Sequence, residues 1–380
     1  MTSLTGKVVK GAFSYFIRQV LVWGIQFVSS LLILRWLVPI DFGYIATVTL
    51  VLSIGQVLAE GGLSIYLIQR AEEIDDVILS KIASLQLLVY AAVHTIATGI
   101  LIASYLFHKT GILLILVWVA LFSIPISIFR ANSFVGLERK LAFGRVALIE
   151  VVESSVLAVL SAILAYAGYG AWSVVIASLA KCMVGTVIAY SYSRWHFYPQ
   201  WPHLTEEFRK GIRFGVNYHI PTLITTARIA ANPILVGGLL GMKAVGLADR
   251  AIYIAGLPLF FLSAVQQRVL FPYFARIQDD SALVRSNFEK SCYLSAVVDK
   301  VFFLPLILFA PQLVHAVAPK YIEAVPLIYI AMAGNIMLGA FAFSFAPMLN
   351  GLGRSDTNAK LAAFSMVVSW ILTWPLIKFF

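Results

Sequence analysis

Apolar stretches of membrane-spanning length fill nearly the whole chain, and the basic residues crowd into every second gap between them. A bilayer core of roughly 30 Å is crossed by about 20 apolar residues in a helix. About eleven stretches meet that length, near residues 12–34, 42–68, 82–106, 112–129, 146–167, 171–192, 214–240, 245–267, 293–317, 324–347 and 361–380. With the N-terminus in the cytoplasm, most of the Lys and Arg side chains fall in inner gaps, among them Arg70, Arg130, Lys140 and Arg145. Arg35, Lys109, Lys243, Lys320 and Lys378 fall outside. Such asymmetry is the mark of a cytoplasmic face rich in Lys and Arg, so the pattern predicts an all-α polytopic membrane protein.

Composition agrees, because 61% hydrophobic and 12% charged residues would leave a soluble globule short of polar surface. The net charge of +10 is spread over short inner loops and forms no single basic face, which argues against a nucleic-acid partner. Cys182 and Cys292 fall in or beside spans without metal-ligand spacing, so they read as buried thiols, and neither a metal nor a cofactor is expected. Met1 to Lys10 is polar and the apolar run after it is too long for a cleaved leader, so the first span is expected to stay in the mature protein. No gap is long enough for a soluble catalytic domain, and no catalytic residues are expected.

The two longest gaps, near 194–213 and 268–292, are both cytoplasmic. The first offers Thr205 as an N-cap, and Leu204, Phe208 and Ile212 recur every four residues, which predicts a short amphipathic helix on the inner leaflet. It divides the chain into an N-lobe of six spans at 1–193, a linker at 194–213 and a C-lobe of five spans at 214–380. The halves echo each other: Phe42-Gly43-Tyr44 beside Val245-Gly246-Leu247, then Tyr66 to Arg70 beside Tyr273 to Arg276, at offsets of about 203 to 206 residues. A parallel repeat of six-helix lobes is one expectation and chance similarity between apolar helices the other. If the repeat holds, the C-lobe is one span short, which reads as a chain that stops before its natural end.

A charge at bilayer depth costs a few kcal/mol, so each deep charge is a candidate for function. Arg18, two turns into the first span, either reaches the inner headgroups or faces a central cavity. Arg228, midway along the seventh span, reads as cavity-facing. Arg250 follows Asp249 and is either a paired interfacial charge or a ligand contact. Lys181 is a candidate cavity cation, and Lys300, after Asp299, pairs with a neighbouring helix on one reading. Cations in a wet cavity of low dielectric suit a phosphate-bearing anion. Among the acids, Glu60 and Asp299 are deep, and Glu150 and Glu153 share a helix face at i, i+3. They suit a coupling proton, or a plain salt-bridge cluster with Lys140 and Arg145. Asn217, Tyr218, Gln26 and Gln56 are polar groups at lipid depth fit for sugar hydroxyls. Pro125, Pro221, Pro233, Pro258 and Pro305 predict bent helices around a cavity.

Leu37 to Tyr44 with Glu60-Gly61-Gly62-Leu63 and Ile68-Gln69-Arg70 resembles the first hairpin of polysaccharide exporters of the Wzx type, in the multidrug/oligosaccharidyl-lipid/polysaccharide superfamily. Gly136 to Arg145, Gly168-Tyr169-Gly170-Ala171-Trp172 and Asn350 to Asp356 are similar to that branch too. The resemblance implies a flippase that carries an undecaprenyl-diphosphate-linked oligosaccharide across the bacterial cytoplasmic membrane, with two lobes rocking about a cationic cavity. It also implies membrane lipid, and a polysaccharide polymerase and chain-length proteins, as partners. Related lipid-linked precursor flippases carry an arginine in the first helix, where Arg18 stands. The rivals are a cation antiporter of the same superfamily, a membrane enzyme, for which no paired-aspartate site or large outer loop is present, and a scaffold.

Overall fold

The computed structural model describes residues 4–69, 74–107, 111–201 and 206–379. All ordered elements among them are helical: α1 (Leu4–Trp36), α2 (Pro39–Glu60), α3 (Leu63–Gln69), α4 (Asp76–Leu106), α5 (Ile112–Ala120), α6 (Ser123–Arg139), α7 (Phe143–Tyr166) and α8 (Trp172–Ser193). There follow α9 (Glu206–Ala231), a π-helical turn (Asn232–Val236), α10 (Gly237–Leu240), α11 (Met242–Arg276), α12 (Ser281–Val317), a 3-10 turn (Pro319–Ala324), α13 (Val325–Gly351) and α14 (Ser355–Phe379). Eight stretches among the described residues are long and apolar enough to cross a bilayer. The other three expected spans coincide with α11, α13 and α14. Large apolar side chains such as Ile96, Leu106 and Leu308 stand exposed along these helices, as lipid-facing residues do. The protein is a multi-span membrane protein.

Local signals set the helix ends. Asp41 accepts the Val38 N–H at 3.1 Å beside Pro39, while Asp75 and Asp280 cap α4 and α12 by accepting the N–H of Ile78 (2.8 Å) and Leu283 (2.9 Å). Two expected spans are broken rather than continuous. The stretch 42–68 divides into α2 and α3 at Gly61 and Gly62, whose φ of +55° and +66° only glycine adopts freely. The stretch expected to end at 129 divides into α5 and α6 just before Pro125 and then runs on to Arg139, which carries Arg130 into the helix instead of an inner loop. The expected linker helix does not stand alone either. Residues 206–213 are the first turns of α9, Leu204 and Thr205 lie outside the described residues, and so does Arg70.

The chain forms two compact units, residues 1–37 with 47–226, and residues 38–46 with 227–380. In the first, α7 packs on α1 and α8, and α6 on α4 and α8. Leu67, Leu79, Ile82, Ala83, Leu121, Ile124, Ile128 and Trp195 form an apolar core. The extended residues after α8 belong to it. His196 N–H donates to Asp76 (3.1 Å), Tyr198 N–H to Ser80 Oγ (3.0 Å) and Gln200 N–H to Ser84 Oγ (3.2 Å), which lays this segment along α4. Trp195 Nε1 donates to Ser133 Oγ at 2.9 Å inside the core. Trp195→Phe keeps the apolar contacts and loses that bond, so a drop of about 1 kcal/mol in unfolding free energy in detergent is expected.

In the second unit α11, α12 and α13 pack together around Phe274, Phe303, Ile328 and Met332. Asn335 Nδ2 bridges α13 to the Ala255 carbonyl (3.0 Å), and Trp370 Nε1 of α14 reaches the Ala227 carbonyl (2.8 Å). The echoing glycines meet here: a Cβ on Gly246 would overlap the Pro39 carbonyl and the Gly43 backbone, and one on Gly43 would overlap the backbone of Met242.

Candidate functional site

Charged side chains converge on a cavity of about 310 Å³ within the first unit. Gln56 and Glu60 come from α2, Ser127 and Arg130 from α6, Glu153 from α7, and Lys181 and Cys182 from α8. Arg130 grips Glu153 with a two-pronged contact, Nη2 to Oε2 at 2.8 Å and Nε to Oε1, and its guanidinium lies 4.2 Å from the centre of the Phe134 ring. Glu153 is 4% exposed and Arg130 26%, so of the pair the cation is the more open to the cavity. Gly185 of α8 makes the pocket for that carboxylate, since a Cβ there would overlap Glu153.

One turn away, Arg18 Nε lies 3.0 Å from Glu150 Oε2, a charge contact without the alignment of a hydrogen bond. Glu150 and Glu153 therefore have separate partners on α1 and α6. The expected cluster with Lys140 and Arg145 is not formed among the described residues: Lys140 closes α6, and Arg145, in the first turn of α7, lies over the Tyr192 ring. Arg18 is held by an acid, and the cavity is balanced in charge, with Glu60 and Glu153 facing Arg130 and Lys181. Glu60 has no ion pair among the described residues, although Arg130 shares its cavity and His219 lies near it.

His219 sits there for a geometric reason. Gly211, Gly215 and His219 recur every four residues along α9, and Gly211 meets Tyr66 while Gly215 meets the backbone of Gly61 and Gly62. The same face one turn on brings His219, buried and with neither ring nitrogen hydrogen-bonded among the described residues, toward Glu60. Behind the cavity the wholly buried Gln86 and Asn132 bond to each other (2.9 Å), and Gln86 Nε2 takes the Glu60 carbonyl at the end of α2 (3.1 Å).

Of the residues expected from sequence, Gln56, Glu60, Glu153 and Lys181 line this cavity, and Arg18 and Glu150 form the adjoining pair. Gln26 is exposed on α1, outside the lining, and Tyr218 is exposed beside Phe214 and His219. The Asn217 side chain lies outside the described residues. Arg228, Arg250, Asp299 and Lys300 belong to the second unit. Arg228 is exposed without an ion pair among the described residues. Arg250 takes the paired reading: Nε donates to Asp249 at 2.9 Å, and the guanidinium lies over Phe42 (4.3 Å) and Tyr253 (4.8 Å). Among the described residues, Asp299 is buried with Oδ2 lacking a donor, and Lys300 is exposed without a partner. Sequence reasoning missed Arg130 and His219. The apolar residues Phe134, Val135 and Leu137 beyond Arg130 are a weak sign that the helix continues. Among the described residues no group of three metal-binding side chains occurs.

A family profile described as "Polysaccharide biosynthesis protein" matches residues 32–326. Similar proteins include an uncharacterized membrane protein in the cps region of Klebsiella pneumoniae, 24% identical over 82% of this chain and 64% of its own length. Two more are the lipopolysaccharide biosynthesis protein WzxC of Escherichia coli (24%; 95% and 73%) and the succinoglycan biosynthesis transport protein ExoT of Rhizobium meliloti (22%; 87% and 67%). The chain thus spans under two thirds of the Klebsiella relative and about two thirds to three quarters of the others. Among solved structures, lipid II flippase MurJ in an inward closed conformation aligns with TM-score 0.66 at 13% identity, over 98% of this chain and 87% of its own. An inward-facing MATE family transporter of the MOP superfamily aligns with TM-score 0.65 at 15% identity, over 95% and 97%. These two likenesses bear on the fold.

Proposed function

Since the chain belongs to the polysaccharide biosynthesis protein family, we propose that it is a flippase, not an enzyme, which carries undecaprenyl-diphosphate-linked oligosaccharides across the bacterial cytoplasmic membrane by alternating access. The observation that carries this reading is the polar cavity at bilayer depth, with Arg130 and Lys181 turned toward it. Charges at that depth are costly and are kept where they pair with one another or meet a polar ligand, and Lys181 has no ion pair among the described residues. The substrate diphosphate is taken by Lys181 and by Arg130, whose fork suits a phosphate as well as the Glu153 carboxylate. Gln56 and Glu60 meet sugar hydroxyls, while the polyprenyl tail stays in lipid and avoids the cost of entering a polar cavity. Arg228 serves as a further cation, and the lobes at 1–193 and 214–380 are the rocking halves of a parallel repeat, with the N-terminus in the cytoplasm. Polymerase and chain-length proteins are the partners this role implies.

The test is leaflet translocation of a lipid-diphosphate oligosaccharide in proteoliposomes. A charge-assisted hydrogen bond is worth about 1.5–3 kcal/mol, so Lys181→Gln is expected to slow flipping about ten- to hundredfold. Arg228→Ala is expected to slow it less. Full activity in a well-folded Lys181→Gln protein would overturn the role of the cavity. Glu60, an acid without an ion pair among the described residues, favours a second reading, a cation antiporter of the same superfamily. Uptake of an organic cation without flipping in the same vesicles would select it.

A further inference from the structure

At the end of the first unit that the charge pattern assigns to the cytoplasm, two adjoining clefts of about 390 Å³ each open on either side of Gly136, Lys140 and Ser193. Their cations differ from those of the central cavity. Lys140 and Arg145 are exposed and have no ion pair among the described residues, and the Arg145 guanidinium lies 5.2 Å from the centre of the Tyr192 ring. Arg139, which lines the first cleft, donates Nη1 to the Leu67 carbonyl at 2.9 Å and so is fixed in place. Asp76, the acid on the lining, has its carboxylate engaged by the His196 N–H.

The inner wall of the first cleft carries an unmet acceptor. Asn132 is fully buried and spends Nδ2 on Gln86 Oε1 and the Ile128 carbonyl, both at 2.9 Å, while its Oδ1 receives no donor among the described residues. A buried acceptor left without a donor costs about 1–3 kcal/mol, so a donor-bearing ligand gains by reaching it. The backbone around the clefts is also held under strain. Leu141 (φ +54°) and Arg194 (φ +55°) are the two non-glycine residues in the left-handed region among the described residues. They close the α6–α7 turn and the end of α8 on either side of the openings. Leu148, one turn along α7 from Arg145, is an exposed apolar side chain suited to an acyl chain.

We propose that these clefts form a binding site for a hydroxyl-bearing phosphate ester, the chemistry of a phosphoglycerol lipid headgroup, separate from the transport cavity. Lys140 and Arg145 take the phosphate, and Asn132 Oδ1 accepts from the glycerol hydroxyl. The exposed Leu148 favours a lipid over a soluble ester. The site does not rest on the transport reading, since neither cleft shares a lining residue with the central cavity.

The experiment compares thermal unfolding of the full chain in nanodiscs of phosphatidylcholine alone, phosphatidylcholine with phosphatidylglycerol, and phosphatidylcholine with added glycerol phosphate, all without polyprenyl substrate. Phosphatidylglycerol is expected to raise the wild-type Tm by several degrees, and Lys140→Gln/Arg145→Gln is expected to lose that rise while keeping the phosphatidylcholine value. A rise with glycerol phosphate alone would support the site and assign it to a soluble ester. No rise in the wild type, or an equal rise in the double variant, would overturn it. If the double variant unfolds already in phosphatidylcholine, Arg145→Gln alone, at an exposed side chain, decides by the same readout.

Discussion

Arg130→Met is expected to destabilise the protein by about 3–5 kcal/mol, because it strands the Glu153 carboxylate in a pocket closed by Gly185. Glu153→Gln is expected to be milder, since Arg130 keeps contact with the cavity and can be hydrated there. The pair Arg130→Met/Glu153→Met removes both charges and is expected to recover most of the loss, as well-packed apolar replacements of buried ion pairs do. Unfolding titrations in mixed micelles check all three, and a double-mutant cycle isolates the coupling. Wild-type stability in Arg130→Met would mean that water reaches Glu153 freely. The double variant also separates stability from the proposed transport: a well-folded protein that fails to carry the lipid-linked substrate would show that the Arg130–Glu153 pair serves more than stability.

Gly246→Val is the second large effect. Its side chain would enter space held by the Pro39 carbonyl and the Gly43 backbone, and a backbone cannot turn aside as a side chain does. Overpacking of a close-fitted interface costs about 1–3 kcal/mol and more where no rotamer relieves it, so a loss of about 3 kcal/mol is expected. Gly99→Ala, in the interior of α4 with nothing within 4 Å of the added carbon, is expected to leave stability unchanged or slightly raised. Tm values of the two variants in one detergent test the contrast, and equal values would mean that the close approach is not kept in the membrane-derived protein.

The helical, membrane-spanning character was legible because lipid imposes it on every span through length and apolarity. Breaks inside spans were less so. Gly61-Gly62 and Pro125 were noticed as residues, but whether such residues kink, end or merely decorate a membrane helix depends on what replaces the missing backbone bonds, here the Gln86 amide at the Glu60 carbonyl. Single deep charges were legible as unusual, while their partners were not. Nothing along the chain ties Arg18 to Glu150 or Arg130 to Glu153, because each pair is made by the crossing of separate helices. Arg130 reads from the sequence as an inner-loop cation because the preceding apolar run already reaches spanning length. The meeting of Gly43 and Gly246, by contrast, joins two positions that the sequence marked as equivalent.

The extended segment after α8 has a practical side for protein engineering. Tryptophan, proline and polar residues make 195–200 look like an obvious place for an affinity tag, a protease site or a division of the gene into two fragments. Its backbone amides are instead spent on Asp76, Ser80 and Ser84 of α4, and its tryptophan is buried among the helices that precede it. Insertions there would pry a strap off a helix rather than lengthen a tether, and a fragment that began at Trp195 would leave the other half without part of its core.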